Sequence, residues 1–252
     1  MALATPAGPQ RVGVVIVAAG QSRRMEGIDK VFAPVLGRPL LAWTVEVFEQ
    51  SPVVDEIVIA LDRRKIEKGQ TLVQQEGWRK VSQLCRGGVR RQDSVREALW
   101  RLGKCDWVAI HDGARPCAEE DLLLAGLKAA QETGAAVPAL PVTDTLKRAD
   151  AHGLAVETLD RTDLWTVQTP QIFRYAILWA AYQQTSAAVT DDAALGAVTD
   201  DAALAAVTDD AALIEQMGHQ VRLFPGSQRN IKVTVPEDLV LVAACLQAHQ
   251  KR

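Results

Sequence analysis

The chain has 252 residues, 28 basic and 31 acidic, for a net charge of −3, and 48% of it is hydrophobic. That length suits a single large α/β domain with a sizeable core, and the charge balance excludes a globally basic nucleic-acid binder. Cys85, Cys105, Cys117 and Cys245 form no C-x-x-C pair, which argues against zinc or dithiol chemistry and for a reducing compartment.

No apolar run reaches the roughly 18 residues of a membrane span, so no membrane partner is expected. Residues 1–11 lack the apolar centre of a signal peptide, and a cytoplasmic protein is expected.

The predicted elements alternate. Val12–Gly20 is a continuous apolar run ending in glycine, the pattern of a strand buried on both faces. Leu40–Ser51 has helical spacing, and Asp55–Asp62 is the next strand. Arg91–Leu102 predicts a helix that Asp93 or Ser94 could cap. Asp106–Pro116 is a strand running into a polar turn, Glu119–Gly134 a helix closed by glycine, and Ala135–Val142 a strand. Thr143–Trp165 breaks the alternation: two β-like pieces flank Ala151-His152-Gly153, so a projecting hairpin is expected, with a second subunit as its partner surface. A helix end and a strand follow at 213–227, then a short strand carrying Lys232 and Thr234 on one face, then a helix at Pro236–His249. Strands alternating with helices predict an open α/β sheet with helices on both faces and a projecting β-arm.

Five stretches carry chemistry. Ala18–Lys30 is a glycine-turned loop with Arg23, Arg24 and Lys30; its N–H groups and cations suit phosphoryl oxygens. It has neither G-x-G-x-x-G nor the Walker pattern, which weakens dinucleotide and P-loop readings. Gly87–Val95 pairs two glycines with Ser94, which could bind a base or only cap a helix. In Ile110–Pro116, Asp112 ends a buried strand at the sheet's carboxyl edge, where one carboxylate suits Mg²⁺; His111 reads as a packed histidine. Leu159–Phe173 holds Arg161, whose fork suits a phosphate monoester, and the turn Thr169-Pro170-Gln171. Asn230–Leu239 holds Lys232. Singly, each also fits a solvated loop, a cap, a turn aspartate or a surface ion pair. Together they put four separated cations and one carboxylate at strand ends of one sheet, with no Ser-His-Asp or Cys-His set. That favours nucleotidyl transfer by positioning and charge neutralisation.

These motifs resemble those of the 2-C-methyl-D-erythritol 4-phosphate cytidylyltransferase family, from about Gly13 to Leu239: Ala18-Ala19-Gly20 through Arg23-Arg24-Met25, Arg91-Gln92-Asp93-Ser94-Val95, His111-Asp112-Gly113-Ala114-Arg115-Pro116, Asp144-Thr145-Leu146-Lys147, Asp160-Arg161, Gln168-Thr169-Pro170-Gln171, Thr-Asp-Asp and Asn230-Ile231-Lys232-Val233-Thr234. The resemblance implies a Rossmann-like nucleotidyltransferase, a homodimer joined by the arm, and use of CTP, a polyol phosphate and Mg²⁺. It implies that Arg24 and Lys30 stabilise the transition state and that Arg161 and Lys232, with Thr145, Thr169, Thr208 and Asp209, bind the acceptor. Ala18, Ala19, Gly20, Ser22, Arg23, Gly88, Ser94, Asp112 and Gly113 would hold CTP, and Asp112 the metal. Thr145 and Arg161 would reach the neighbouring subunit's site. A ribitol 5-phosphate cytidylyltransferase, or a non-catalytic nucleotide-binding protein on this fold, are the competing readings.

Three departures stand out. Asp29-Lys30-Val31 replaces the family's frequent Pro-Lys-Gln, which is expected to loosen the loop. Gln228-Arg229 precedes Asn230 where some members have an aspartate, removing a second metal ligand. Lastly, Val-Thr-Asp-Asp-Ala-Ala-Leu begins at Val189, Val198 and Val207. Nine residues turn a helix by roughly 900°, about 180° past whole turns, so neighbouring copies cannot present one acidic face, and three short copies are too little for a solenoid. Only the third copy runs into Leu213–Gly218, so Thr208 and Asp209 are assigned to the motif and residues 189–206 to an insertion, as short exposed helices or disorder. Deleting residues 189–206 is expected to leave activity largely intact; a deletion variant that folds, by circular dichroism, yet has no turnover overturns the assignment.

Overall fold

The computed structural model describes residues 10–22, 24–184 and 209–250. The repeated insertion, Arg23 and Thr208 therefore lie outside the described residues. Strand β1, Val12–Ala18, shows how the sequence builds the sheet. Val12, Val14, Ile16 and Ala18 enter one apolar cluster, while Val15 and Val17 face another on the opposite side. β4, Glu56–Leu61, and β6, Trp107–Asp112, divide their side chains in the same way. This period of two, with both faces apolar, requires helices above and below.

The helices supply them. α1 (Leu40–Gln50), α2 (Ile66–Glu76) and α4 (Glu120–Thr133) cover one face through residues such as Phe48, Leu72 and Leu123. α3 (Arg91–Arg101), helical residues 175–184 and α5 (Asp210–Gln216) cover the other through Leu99, Leu178 and Ile214. Each such aliphatic side chain contributes about 1.5–3 kcal/mol on burial. Gly126 lets α4 come close, because a Cβ there would lie 2.7 Å from Ile172 Cγ1.

The main sheet runs β10-β7-β11-β6-β1-β4-β5, with β12 (Arg222–Pro225) also paired to β7. Here β5 is Val81–Arg86, β7 Ala135–Pro141, β10 Trp165–Val167 and β11 Gln171–Arg174. β1 pairs in parallel with β4 and β6; β11 is antiparallel to β6 and β7. The expected mostly parallel sheet with helices on both faces is thus observed, with β11 inserted as a reversed central strand. β2 (Pro34–Val35) and β3 (Arg38–Pro39) make a small separate ribbon. β8 (Leu146–Ala149) and β9 (Ala155–Leu159) form the predicted hairpin as a sheet of their own. Its turn is set by Asp150, whose Oδ1 accepts from the His152 and Leu154 amides at 2.9 Å, and by Gly153 at φ 81°.

Two expectations change. Residues 230–234 are irregular rather than a strand, because their polar groups are taken by a loop and a helix start: Val233 N donates to Ala114 O at 2.9 Å, and Thr234 N and Oγ1 both donate to Asp238 Oδ2. The last helix, α6, spans Asp238–Gln250, so Pro236 lies in the turn before it.

The carboxyl edge of β6 is fastened by a chain of hydrogen bonds. Asp112 N donates to Thr169 Oγ1 at 3.0 Å, Thr169 Oγ1 meets His111 Nδ1 at 3.1 Å, and His111 Nε2 meets Arg115 O at 3.1 Å. Every group is satisfied if the ring is neutral with its proton on Nε2: the hydroxyl then donates to Nδ1 and the ring donates to the carbonyl. Burial lowers the His111 pKa to about 4, the Arg115 carbonyl and Asp112 only partly opposing it. Between that value and an unfolded value of about 6.5 the unfolded chain binds the proton and the folded one does not. Stability is therefore full above about 6.5 and falls as pH drops toward 4. Urea unfolding should show roughly 2 kcal/mol more loss between pH 7 and pH 5 in the parent than in His111→Gln; equal losses in both would remove His111 as the source.

Candidate active site

At the carboxyl ends of β1 and β6 lies a cavity of about 200 Å³. Ala18, Ala19, Gly20, Lys30, Gly88, Arg91, Ser94, Asp112 and Lys232 are among its lining residues. Four of the five sequence stretches, all but Leu159–Phe173, therefore converge on one space. A larger cavity of about 530 Å³ lies between α1, the start of α4 and α6. It holds mixed charges and no residue of the motifs' phosphate-type chemistry, so the smaller cavity is the candidate site.

The first loop leaves β1 at Ala18. A Cβ added at Gly20 would meet nothing within 4 Å, so the protein itself does not demand glycine there. The loop then turns through Ser22 and Glu26, both at positive φ, and pins itself with buried Met25. Arg24 is exposed and is not among the residues that line the cavity, and Lys30 begins a 3₁₀ turn, Lys30–Phe32. Burial first, and then the positive charge of Lys232, lowers the Lys30 pKa. The replacement of proline by Asp29 does not leave this loop untied: Lys65 Nζ reaches Asp29 Oδ1 at 2.7 Å.

The glycine pair is a packing device. A Cβ at Gly87 would lie 2.2 Å from Ala19 Cβ, and one at Gly88 2.2 Å from Asp93 Cβ. Gly88 N donates to Ser94 Oγ at 3.1 Å. Of the two capping candidates, Asp93 takes the part, accepting from Arg90 N at 3.1 Å. Gly113 likewise serves contact between strands, since a Cβ there would lie 2.8 Å from Ala18 Cβ.

Asp112 is the electrostatic centre. Its carboxylate faces Lys232 Nζ at 2.7 Å, Arg91 Nε at 3.5 Å and Arg115 Nε at 3.6 Å. Burial pushes its pKa upward, but Arg91, Lys232 and Arg115 outweigh burial and hold it well below the usual carboxylate range. Arg115 Nη1 also donates to Asn230 O at 2.6 Å, and Asn230 Nδ2 donates to Thr169 O at 2.7 Å. The Gln168–Gln171 turn completes this knot. Gln168 Nε2 donates to Ser227 O, and Gln171 Nε2 donates to Asp209 Oδ2 at 2.8 Å.

Several predicted residues lie outside the cavity wall. Thr169 is buried behind Asp112, its hydroxyl engaged by His111 and the Asp112 amide. Asp209 caps α5, accepting from Ala212 N at 3.1 Å. Arg161 and Thr145 are exposed on the arm, where Arg161 Nη1 donates to Thr143 O. Arg229, at the position where a second metal ligand was considered, instead faces Glu119 at 3.7 Å. Among the described residues Asp112 is the one acidic residue in the cavity lining, and no three His, Cys, Asp or Glu side chains gather as a metal cluster.

Sequence reasoning missed Arg91, Arg115 and Asp210. Arg91 and Arg115 stood inside recognised motifs, but adjacent Arg90 and Arg91 look alike in a sequence; only helix phase turns Arg91 inward. Chemically, the cavity combines several fixed cations with one ionised carboxylate, and its described lining presents no nucleophile–base pair. It can hold a polyanion and neutralise charge that moves between phosphate oxygens.

Comparison with known proteins agrees. The family model for IspD, 2-C-methyl-D-erythritol 4-phosphate cytidylyltransferase, matches residues 12–248. The chain is 45% identical over 238 residues to the 2-C-methyl-D-erythritol 4-phosphate cytidylyltransferase of Dehalococcoides mccartyi strain CBDB1, covering 94% of this chain and 97% of that one. The crystal structure of the enzyme of that name from Thermus thermophilus matches at 31% identity and TM-score 0.69, covering 92% of this chain and 98% of that one. The 4-diphosphocytidyl-2C-methyl-D-erythritol synthase of Anaerococcus prevotii matches at 26% identity and TM-score 0.75, covering 95% and 100%. With that coverage and the cavity's charge pattern together, the chain belongs to the 2-C-methyl-D-erythritol 4-phosphate cytidylyltransferase family of nucleotidyltransferases.

Proposed function

We propose that this chain joins CTP and 2-C-methyl-D-erythritol 4-phosphate to give 4-diphosphocytidyl-2-C-methyl-D-erythritol and pyrophosphate, a step toward isoprenoid precursors. The observation that carries the reading is the ionised Asp112 ringed by Lys232, Arg91 and Arg115, in a cavity that also holds Lys30 and is floored by the Ala18–Gly20 loop. An acceptor phosphate oxygen attacks the α-phosphorus of CTP, and the bond to the β-phosphate oxygen breaks. Lys30, with Arg24, offsets the negative charge that builds on the α-phosphoryl oxygens. Lys232 holds the acceptor phosphate, a role supported by its half-exposed position beside Asp112. The open space beside Gly20 leaves room for the nucleotide at the end of β1.

The residues fit a divalent cation in one way. Asp112, ionised and in the lining, would supply one oxygen to Mg²⁺, while triphosphate and water supply the rest. When bound, the ion would neutralise triphosphate charge. The cation and Lys232 would then share one carboxylate.

A homodimer joined by the arm also belongs to this reading. Leu154 and Val156 are exposed on the hairpin, and Arg161 and Thr145 sit away from this chain's own cavity. Both facts support a role at a second copy's site. No described helix is long and apolar enough to cross a membrane, and all four cysteines are free thiols, which favours a cytoplasmic setting.

Incubation with CTP, Mg²⁺ and either methylerythritol phosphate or ribitol 5-phosphate should release pyrophosphate with the first acceptor. Release with ribitol 5-phosphate alone would reassign the acceptor, and none with either would end the enzyme reading. Lys30→Ala should lower kcat by about 10²–10³-fold with little change in KM, whereas Arg161→Ala should raise the acceptor KM more than that of CTP. Equal effects on both substrates would remove Arg161 from acceptor binding.

A further inference from the structure

The third copy of the repeated phrase carries Thr208-Asp209-Asp210, and its two aspartates do different work. Asp209 is a helix cap. Asp210 is fully buried, a costly place for a carboxylate unless both oxygens are paired. Here both are: Arg91 Nη1 donates to Oδ2 at 2.5 Å, and Tyr182 OH donates to Oδ1 at 2.5 Å. The other side of the same guanidinium faces Asp112, with Nε at 3.5 Å. Arg91 thus spans two carboxylates, one in the core and one in the cavity.

We infer that Asp210 is a positioning residue for the transfer reaction: by holding Arg91 back, it leaves Asp112 to Lys232. The distances carry this. Asp112 has Lys232 at 2.7 Å but Arg91 only at 3.5 Å, although an arginine free to turn would bind the carboxylate through two parallel N–H groups. Asp210 occupies Nη1 and prevents that rotation. Tyr182, buried in the same cluster, fixes the second oxygen of Asp210 and so fixes the direction in which Asp210 pulls. Although burial tends to lower it, the Arg91 pKa is raised by Asp210 and Asp112, so the guanidinium remains a fixed charge. Without Asp210, Arg91 turns onto Asp112 and displaces Lys232 from its place beside the carboxylate. The third copy of the phrase thereby acts on the site through its second aspartate, which touches no lining residue except Arg91 among the partners described above.

This rests on the proposed reaction, and its test separates the two. Arg91 and Asp112 link Asp210 to Lys232 by a continuous run of ion pairs, so a double-mutant cycle between them reads that path. Asp210→Asn alone is expected to lower kcat/KM by about tenfold, but by less than about twofold when Lys232→Ala is already present. Equal, additive losses in the two backgrounds would mean that Asp210 only supports the fold, and a folded Asp210→Asn within twofold of the parent would equally overturn the inference. Should Asp210→Asn not fold, Tyr182→Phe takes its place in the cycle, with about a threefold loss expected alone and none in the Lys232→Ala background. The parent is assayed first. A parent that releases no pyrophosphate fails the proposed function instead, and the same four proteins are then compared in CTP affinity by calorimetry. The same dependence on background is expected there, and its absence overturns the inference.

Discussion

Everything at this site depends on keeping one carboxylate ionised in a place that water barely reaches. Asp112 ends the central strand with 8% of its surface exposed, where burial alone would drive it to take up a proton. Lys232, Arg91 and Arg115 prevent this, and each comes from a different segment of the chain. The charge is therefore a joint product of the β6 loop, the start of α3 and the 230–234 segment. Conversely, those cations are tolerable at close quarters because Asp112 stands between them. A cavity built this way is poised for polyanions: Asp112 already orients its cations, so little reorganisation remains when a phosphate arrives.

The supporting structure is organised around the same edge. His111, neutral and sealed, spends its two nitrogens on Thr169 and the Arg115 carbonyl rather than on any ligand. The Gln168–Gln171 turn is a clasp, each polar side chain reaching a different neighbour: Ser227 from Gln168, the Asp112 amide from Thr169 and Asp209 from Gln171. Motif residues that look like ligand contacts in a sequence thus divide into two groups. Some face the cavity, and others hold those that do. The two departures among the described residues, Asp29 and Arg229, stand off the cavity wall. Asp29 replaces a stiff proline with an ion pair to Lys65, and Arg229 turns away toward Glu119.

The arm and the repeat mark the two ends of this organisation. The hairpin pairs with no strand of the main sheet and carries Arg161 and Thr145 outward. The last copy of the repeat is drawn inward, since Asp210 is buried against Arg91. Chain far from the cavity in sequence is thus tied to it by one buried ion pair.

Much of the fold was legible because burial leaves a periodic mark. The runs at Val12–Ala18, Glu56–Leu61 and Trp107–Asp112 are apolar on both faces, and that pattern alone calls for covered parallel strands. The hairpin was legible from its turn, and the loops from glycines and cations at strand ends. β11 left no such mark: Gln171–Arg174 is four residues long and reversed, and it is a strand only because β6 and β7 stand on either side. Residues 230–234 alternate like a strand, yet they spend their hydrogen bonds on loops, a choice that depends on neighbours over a hundred residues away. The sequence by itself determined the covered sheet, the phosphate-type chemistry and the family, because composition and local spacing carry them. Only the tertiary structure decided which arginine faces Asp112, which threonine braces it and which aspartate restrains Arg91. Those are pairings between distant segments, set by helix phase and burial, and no local pattern records them.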